Sequence, residues 1–184
     1  MTIYLETERL ILRDWVEADT GPYVRMNQDP AVRRYFPALQ SREDSLASMS
    51  MIQEQLQSRG YGLFAIALKG SGAFIGFTGF AHPDFEAFFT PCVEIGWRFD
   101  ESAWGHGYAT EAAGACLKAG FDRWNFPEVY SFTAIPNVPS ERVMQRIGMQ
   151  KAGVFLHPML PEQHWLREHV LYVAFSPSRK TISR

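Results

Sequence analysis

With 184 residues, 46% of them apolar and 21% charged, the chain has the make-up expected of one soluble globular domain, 1–184. A formal net charge of −2 argues, weakly, against general affinity for nucleic acid, and leaves any anionic ligand to local attraction by a helix end or nearby Arg and Lys. The opening M-T-I-Y-L-E-T-E-R-L has neither a basic leader nor an uninterrupted apolar run, so no signal peptide or membrane contact is expected and the cytoplasm is the expected compartment.

Residues 9–15 alternate as a first strand. Residues 17–28, with Tyr23, Val24 and Met26, predict a first helix interrupted by Gly21-Pro22, and Asp29-Pro30 turns the chain out of it. Arg33, Arg34, Tyr35 and Phe36 follow either as a surface turn with a docked aromatic or as a turn that touches a ligand. Ser41 with Asp44 three residues on is a capping-box start, and Leu46, Met49, Ile52 and Leu56 recur on one side until Gly60. Residues 62–68 and 73–80 predict two strands joined by the hairpin turn Lys69-Gly70-Ser71-Gly72. Residues 81–89 form a loop whose Phe85, Phe88 and Phe89 either line a pocket or roof the core.

The most informative stretch runs from 93 to 124. Val93, Ile95, Trp97 and Phe99 share one face of a strand, with Glu94, Gly96 and Arg98 on the other. Gly105 and Gly107 bracket His106, and Ala109, Ala112, Ala113, Cys116, Leu117, Phe121 and Trp124 then recur at helical spacing. A helix that starts on glycines offers free backbone N–H groups and the positive end of its dipole to a phosphate. The motif is not the dinucleotide fingerprint, because Thr110 stands where a third glycine is needed, and no Gly-Lys-Ser/Thr marks a P-loop.

Residues 128–134 predict a further strand. Asn137 suits a helix N-cap with Pro139 in the first turn, Val143, Met144 and Ile147 face inward, and Gly148 ends the helix. Residues 150–156 and 169–175 complete the sheet around the loop 157–166, and the polar stretch 176–184 is expected to fray. Cys92 and Cys116 suit buried free thiols better than a disulfide. His157, His164 and His169 lack compact ligand spacing, so no metal site is expected.

V-E-I-G-W, W-G-x-G-Y-A-T-E-A and N-V-P-S-E-R-V-M-Q-R-I-G-M stand in order, with T-E-R-L-I-L-R-D-W before them and R-E-H-V-L-Y after. Together they resemble the GNAT superfamily of N-acetyltransferases, in particular its RimJ/RimL-like branch. The resemblance implies an α+β (mixed α/β) GNAT-like fold: a mostly antiparallel mixed central sheet with a splayed strand pair, flanked by helices. It implies acetyl-CoA as co-substrate and an amine acceptor, either a protein N-terminus or a small molecule. A catalytically silent acyl-CoA-binding module is the alternative from another class, and homodimer formation stays open.

By the same resemblance Trp97 and Phe99 offer main-chain groups to the pantetheine arm. Trp104, Gly105, His106, Gly107, Tyr108, Ala109 and Thr110 form the diphosphate loop, and Asn137 and Ser140 approach the arm and the thioester. Ser102 occupies the first place of the family's Q/R-x-x-G-x-G/A loop motif, which removes a side chain but no backbone amide. Amine acetylation needs a neutral amine and a proton for the departing thiolate. Glu94 is the candidate base, with an ion pair to Arg98 as its structural alternative and Glu162 as the other candidate. Ser140 is the candidate to position or protonate the thiolate, since no tyrosine lies between Asn137 and Gly148.

Overall fold

The computed structural model describes residues 1–177. Eight strands form one sheet: β1 (Ile3–Glu6), β2 (Leu10–Arg13), β3 (Leu63–Leu68), β4 (Phe74–Ala81), β5 (Glu94–Phe99), β6 (Glu128–Ala134), β7 (Gln150–Leu156) and β8 (Glu168–Phe175). Their spatial order is β1-β2-β3-β4-β5-β6-β8-β7. Every neighbouring pair is antiparallel except β5 and β6. The helices are α1 (Thr20–Gln28), α2 (Arg42–Arg59), α3 (Tyr108–Asp122) and α4 (Val138–Arg146). This is the mixed, mostly antiparallel arrangement expected.

Two side chains of β4 show which helix covers which face. Phe80 lies beneath α3, so close that a Cβ on Gly120 would stand 2.8 Å from its ring. Phe77, three residues earlier and therefore on the opposite face, meets Tyr23 of α1 at 6.0 Å. The main core gathers side chains from both faces, including Phe64, Ile95, Cys116, Leu117 and Val129 under α3 and Trp15, Tyr23 and Met26 around α1. A smaller aromatic cluster, Phe89, Phe155 and Leu171 with Phe85, Tyr130 and Phe132, covers β6, β8 and β7.

Several local expectations change. An extra strand, β1, precedes the first one read from sequence and pairs with β2. Gly21-Pro22 does not interrupt its helix: a 3-10 turn, Glu17–Asp19, comes first, and α1 begins at Thr20. Pro22 thus falls in the first turn, where a missing N–H breaks no helical bond. At α2, Ser41 Oγ accepts from Asp44 N at 3.0 Å and Asp44 Oδ2 accepts from Ser41 N at 3.3 Å, completing the capping box. Met49 and Leu56 are buried there, but Leu46 is exposed. Phe85 and Phe89 roof the second cluster, whereas Phe88 stays in solvent. The segment from 178 on, part of the stretch expected to fray, lies outside the described residues. No helix among the described residues is long and apolar enough to cross a membrane.

Candidate active site

Three features of the sheet converge near its middle. The first is a wedge. The parallel step between β5 and β6 consists of one residue pair, Glu94 opposite Tyr130. Tyr130 N donates to Val93 O at 2.8 Å, and Ser131 Oγ donates to Ile95 O at 2.8 Å, closing the narrow end. Beyond that point the strands part, and the β6-facing edge of β5 from residue 96 to 99 has no strand partner among the described residues. Trp97 lies on this edge. The carbonyl of Phe99 is already taken, because Trp104 Nε1 donates to it at 3.0 Å. Trp104 is therefore pinned by its indole N–H rather than buried.

The second feature is the turn into α3, towards which the wedge opens. A 3-10 turn, Glu101–Ala103, is capped by Asp100, which accepts from Ser102 N at 3.0 Å. Gly105 and Gly107 adopt left-handed backbone, φ +78° and +79°, a conformation that strains residues with a side chain. A Cβ on Gly105 would meet nothing within 4 Å, so the main chain faces open space there. Gly107 is the N-cap of α3 and brings no side chain to the helix end. The first N–H groups of α3, at Tyr108, Ala109 and Thr110, lack intrahelical acceptors. His106 is exposed and stacks on Tyr108, with ring centroids 5.4 Å apart.

The third feature is Glu94. It shares its face of β5 with Gly96 and Arg98, and its carboxyl leans over the bare glycine: a Cβ on Gly96 would stand 3.8 Å from Glu94 Oε1. The side chain is half-buried and, among the described residues, accepts no hydrogen bond and joins no ion pair. Removal from water pushes its carboxyl up to about 8.

The ion pair with Arg98 does not form. Arg98 Nη1 donates to Asn27 Oδ1 at 2.6 Å, and its guanidinium lies 4.2 Å from the Phe36 ring. Residues four apart on a strand are separated by roughly 13 Å, and the arginine turns away under α1. Burial, and then the neighbouring Arg33, lower Arg98 to about 10.

At the start of α4, Asn137 is the cap: its Oδ1 accepts from Ser140 N at 3.4 Å, while its Nδ2 donates to Thr133 Oγ1 and to Ser140 Oγ. The Ser140 hydroxyl is thus oriented as an acceptor and keeps its own proton available. Glu162, by contrast, is exposed on the loop before β8, where its carbonyl accepts from Arg167.

Sequence reading missed two arrangements. His157 and His169 lie with ring centroids 4.9 Å apart, brought together by the pairing of β7 with β8. Burial lowers both, and with His157 beside it His169 falls to about 4. No group of three or more His, Cys, Asp or Glu suited to a metal exists among the described residues. Cys116 is buried and Cys92 only partly so, and both are free thiols. The second arrangement joins the 33–36 turn to the loop before β8 through Tyr35 and Trp165, 6.5 Å apart. Neither could be found by spacing along the chain.

Comparison with known proteins adds to this geometry. YnaD of Bacillus subtilis (strain 168), an uncharacterized N-acetyltransferase, is 28% identical over 168 residues, covering 91% of this chain and 94% of that protein. The crystal structure of a GNAT-family acetyltransferase from Bacillus anthracis superposes with a TM-score of 0.78 at 27% identity, covering 96% of this chain and 99% of that one. RimL, a ribosomal α-N-protein acetyltransferase solved with coenzyme A, shares the fold at a TM-score of 0.76 and 18% identity, over 95% of this chain and 98% of its own. The profile of the acetyltransferase (GNAT) domain matches residues 9–150. A sheet parted beside a glycine turn, together with that match over most of its length, establishes that the chain belongs to the GNAT acetyltransferase family.

Proposed function

We propose that the protein moves an acetyl group from acetyl-CoA to a primary amine, with the pantetheine arm in the β5–β6 wedge and the diphosphate at the turn into α3. Bound acetyl-CoA supplies the activated thioester. The residues present suit it: Trp97 and the Phe99 N–H lie on an unpaired strand edge, and the turn from Trp104 through Gly105, His106 and Gly107 leads to the free N–H groups of Tyr108, Ala109 and Thr110. Asn137 and Ser140 stand on the far side of the wedge, where the Ser140 hydroxyl can donate to a departing thiolate.

Glu94 takes the amine proton. A carboxyl near 8 matches an α-amine, whose ordinary pKa is roughly 8, better than a lysine amine at about 10.4. That match, with the likeness to the RimJ/RimL-like branch, favours a protein or peptide α-amine as acceptor. The observation that carries the reading is the unpartnered carboxyl of Glu94 beside the single Glu94–Tyr130 step, where the wedge closes.

The test is an acetylation assay with acetyl-CoA against peptides of varied N-terminus and a panel of small amines, with free thiol as readout. Preference for peptides supports the reading, and turnover of small amines alone replaces the acceptor assignment. Heat on titration with coenzyme A but no thiol from any acceptor would point to a binding module without turnover.

A further inference from the structure

The turn between β1 and β2 grips the first turn of α3. Thr7 Oγ1 donates to Glu111 Oε1 at 2.6 Å, and Arg9 N donates to the same oxygen at 3.0 Å. Arg9 Nε and Nη2 lie 2.7 and 2.6 Å from Glu111 Oε2. The remaining arm, Arg9 Nη1, donates to the carbonyl of His106 at 3.0 Å, and the guanidinium lies 4.6 Å from the Tyr108 ring. Three points along the glycine turn and the start of α3 are therefore tied to one side chain: the 106–107 peptide, the Tyr108 ring and the Glu111 carboxylate.

We propose that Arg9, locked onto Glu111, is a positioning residue that holds the His106–Gly107 peptide so that the N–H groups beyond it aim at the diphosphate. The inference rests on the cofactor site described under Proposed function. With glycine on each side, the His106 peptide has few steric restraints of its own. A guanidinium fork spanning a carboxylate and a carbonyl supplies the restraint, and its planar geometry fixes direction as well as distance. A turn ordered before the ligand arrives binds it with less loss of conformational freedom.

Glu111 is part of the clasp. Burial by itself would raise its carboxyl, but hydrogen bonds from Thr7 and Arg9, and the Arg9 charge, outweigh burial and leave it below its ordinary value. It stays ionised, and so stays bonded to Arg9. Plain charge attraction makes the opposite forecast for this residue. Removing a carboxylate one turn from a bound anion would tighten binding if charge alone mattered, and weakens it if Glu111 serves to hold Arg9.

The test is titration calorimetry with coenzyme A on the full chain, comparing the wild type with Arg9→Ala, Arg9→Lys, Glu111→Ala, Lys69→Ala and the Arg9→Ala/Glu111→Ala double variant. Lys69 lines the same open hollow as Arg9 and Tyr108 but its side chain pairs with Glu6 instead, so Lys69→Ala reports on nearby positive charge and leaves the backbone bond from Lys69 N to Arg9 O in place. Arg9→Ala and Glu111→Ala should each weaken binding about tenfold, the double variant no more than either alone, and Lys69→Ala by less than about threefold. Arg9→Lys should fall short of the wild type, because one ammonium cannot span Glu111 and the His106 carbonyl. With the best amine from the acceptor panel, KM for acetyl-CoA should rise with kcat nearly unchanged, and unfolding midpoints of the ligand-free variants should confirm that each is folded. Equal or tighter binding by Glu111→Ala, or a Lys69→Ala loss matching that of Arg9→Ala, overturns the positioning role while leaving the cofactor site in place. A wild type that gives no heat with coenzyme A overturns both.

Discussion

Glu94 faces Tyr130 across the only parallel residue pair that β5 and β6 share, and its carboxyl has no polar partner within the described chain. A structural carboxylate in a sheet is ordinarily hydrogen-bonded or ion-paired, because burying it alone is costly. Glu94→Gln should therefore lower kcat by roughly a hundredfold. Coenzyme A affinity should stay within about twofold. Steady-state kinetics and calorimetry on the same preparation check both, and an unchanged kcat removes Glu94 from the reaction.

The raised carboxyl sets a pH profile. A base works only when ionised, so kcat should climb as pH rises through about 8, the value to which burial lifts Glu94. In Glu94→Gln that rise should disappear. A profile flat from pH 6 to 9 in the wild type would contradict the assignment.

Stability should show the same group with the opposite sign. The native state holds the Glu94 proton up to about 8, whereas the unfolded chain releases it near 4.5. In that window the native state binds more protons, so this contribution falls as pH rises from the lower value to the upper. The cost is absent in Glu94→Gln, which should be more stable than the wild type at pH 8 by about 2 kcal/mol, a figure reduced from full conversion because water reaches the carboxyl. Urea unfolding of both proteins at pH 5 and pH 8 measures the difference.

Gly107 combines a left-handed backbone with the N-cap position of α3. Gly107→Glu would strain the turn and place a negative charge where the diphosphate is assigned, so coenzyme A affinity should drop at least about tenfold. Full affinity in that variant would move the cofactor elsewhere.

Arg13 and Asp19 form a buried pair, with Arg13 Nη1 and Nη2 2.6 and 2.9 Å from the two carboxylate oxygens, and Asp19 also accepts from Val16 N. Asp19→Ala leaves a buried guanidinium uncompensated and should cost about 3–5 kcal/mol in denaturant unfolding. The surface pair Lys69–Glu6 should matter far less.

What could be read from the residues followed the range of each interaction. The Ser41–Asp44 capping box, the 69–72 hairpin and the glycine start of α3 depend on groups three or four residues apart, and spacing exposes them. Glu94 and Arg98 looked like partners because they share a strand face, but Asn27 and Phe36, about seventy and sixty residues away, claim the arginine. The His157–His169 contact and the grip of Arg9 on Glu111 likewise exist only once distant strands and helices meet. The short β1 offered no clean alternation, as only Tyr4 and Leu5 of its four residues are even partly covered.

The placement of β8 between β6 and β7 has a bearing on synthesis. A growing polypeptide that has released residues up to 156 into solution holds β6 and β7 but not the strand that joins them. Until residues 168–175 emerge, β7 has no neighbour and β6 keeps an unpaired edge, with the aromatic cluster above them open to water. This side of the sheet therefore closes only after residues 168–175 have emerged, and until then a chaperone bound to the nascent protein would find its target there.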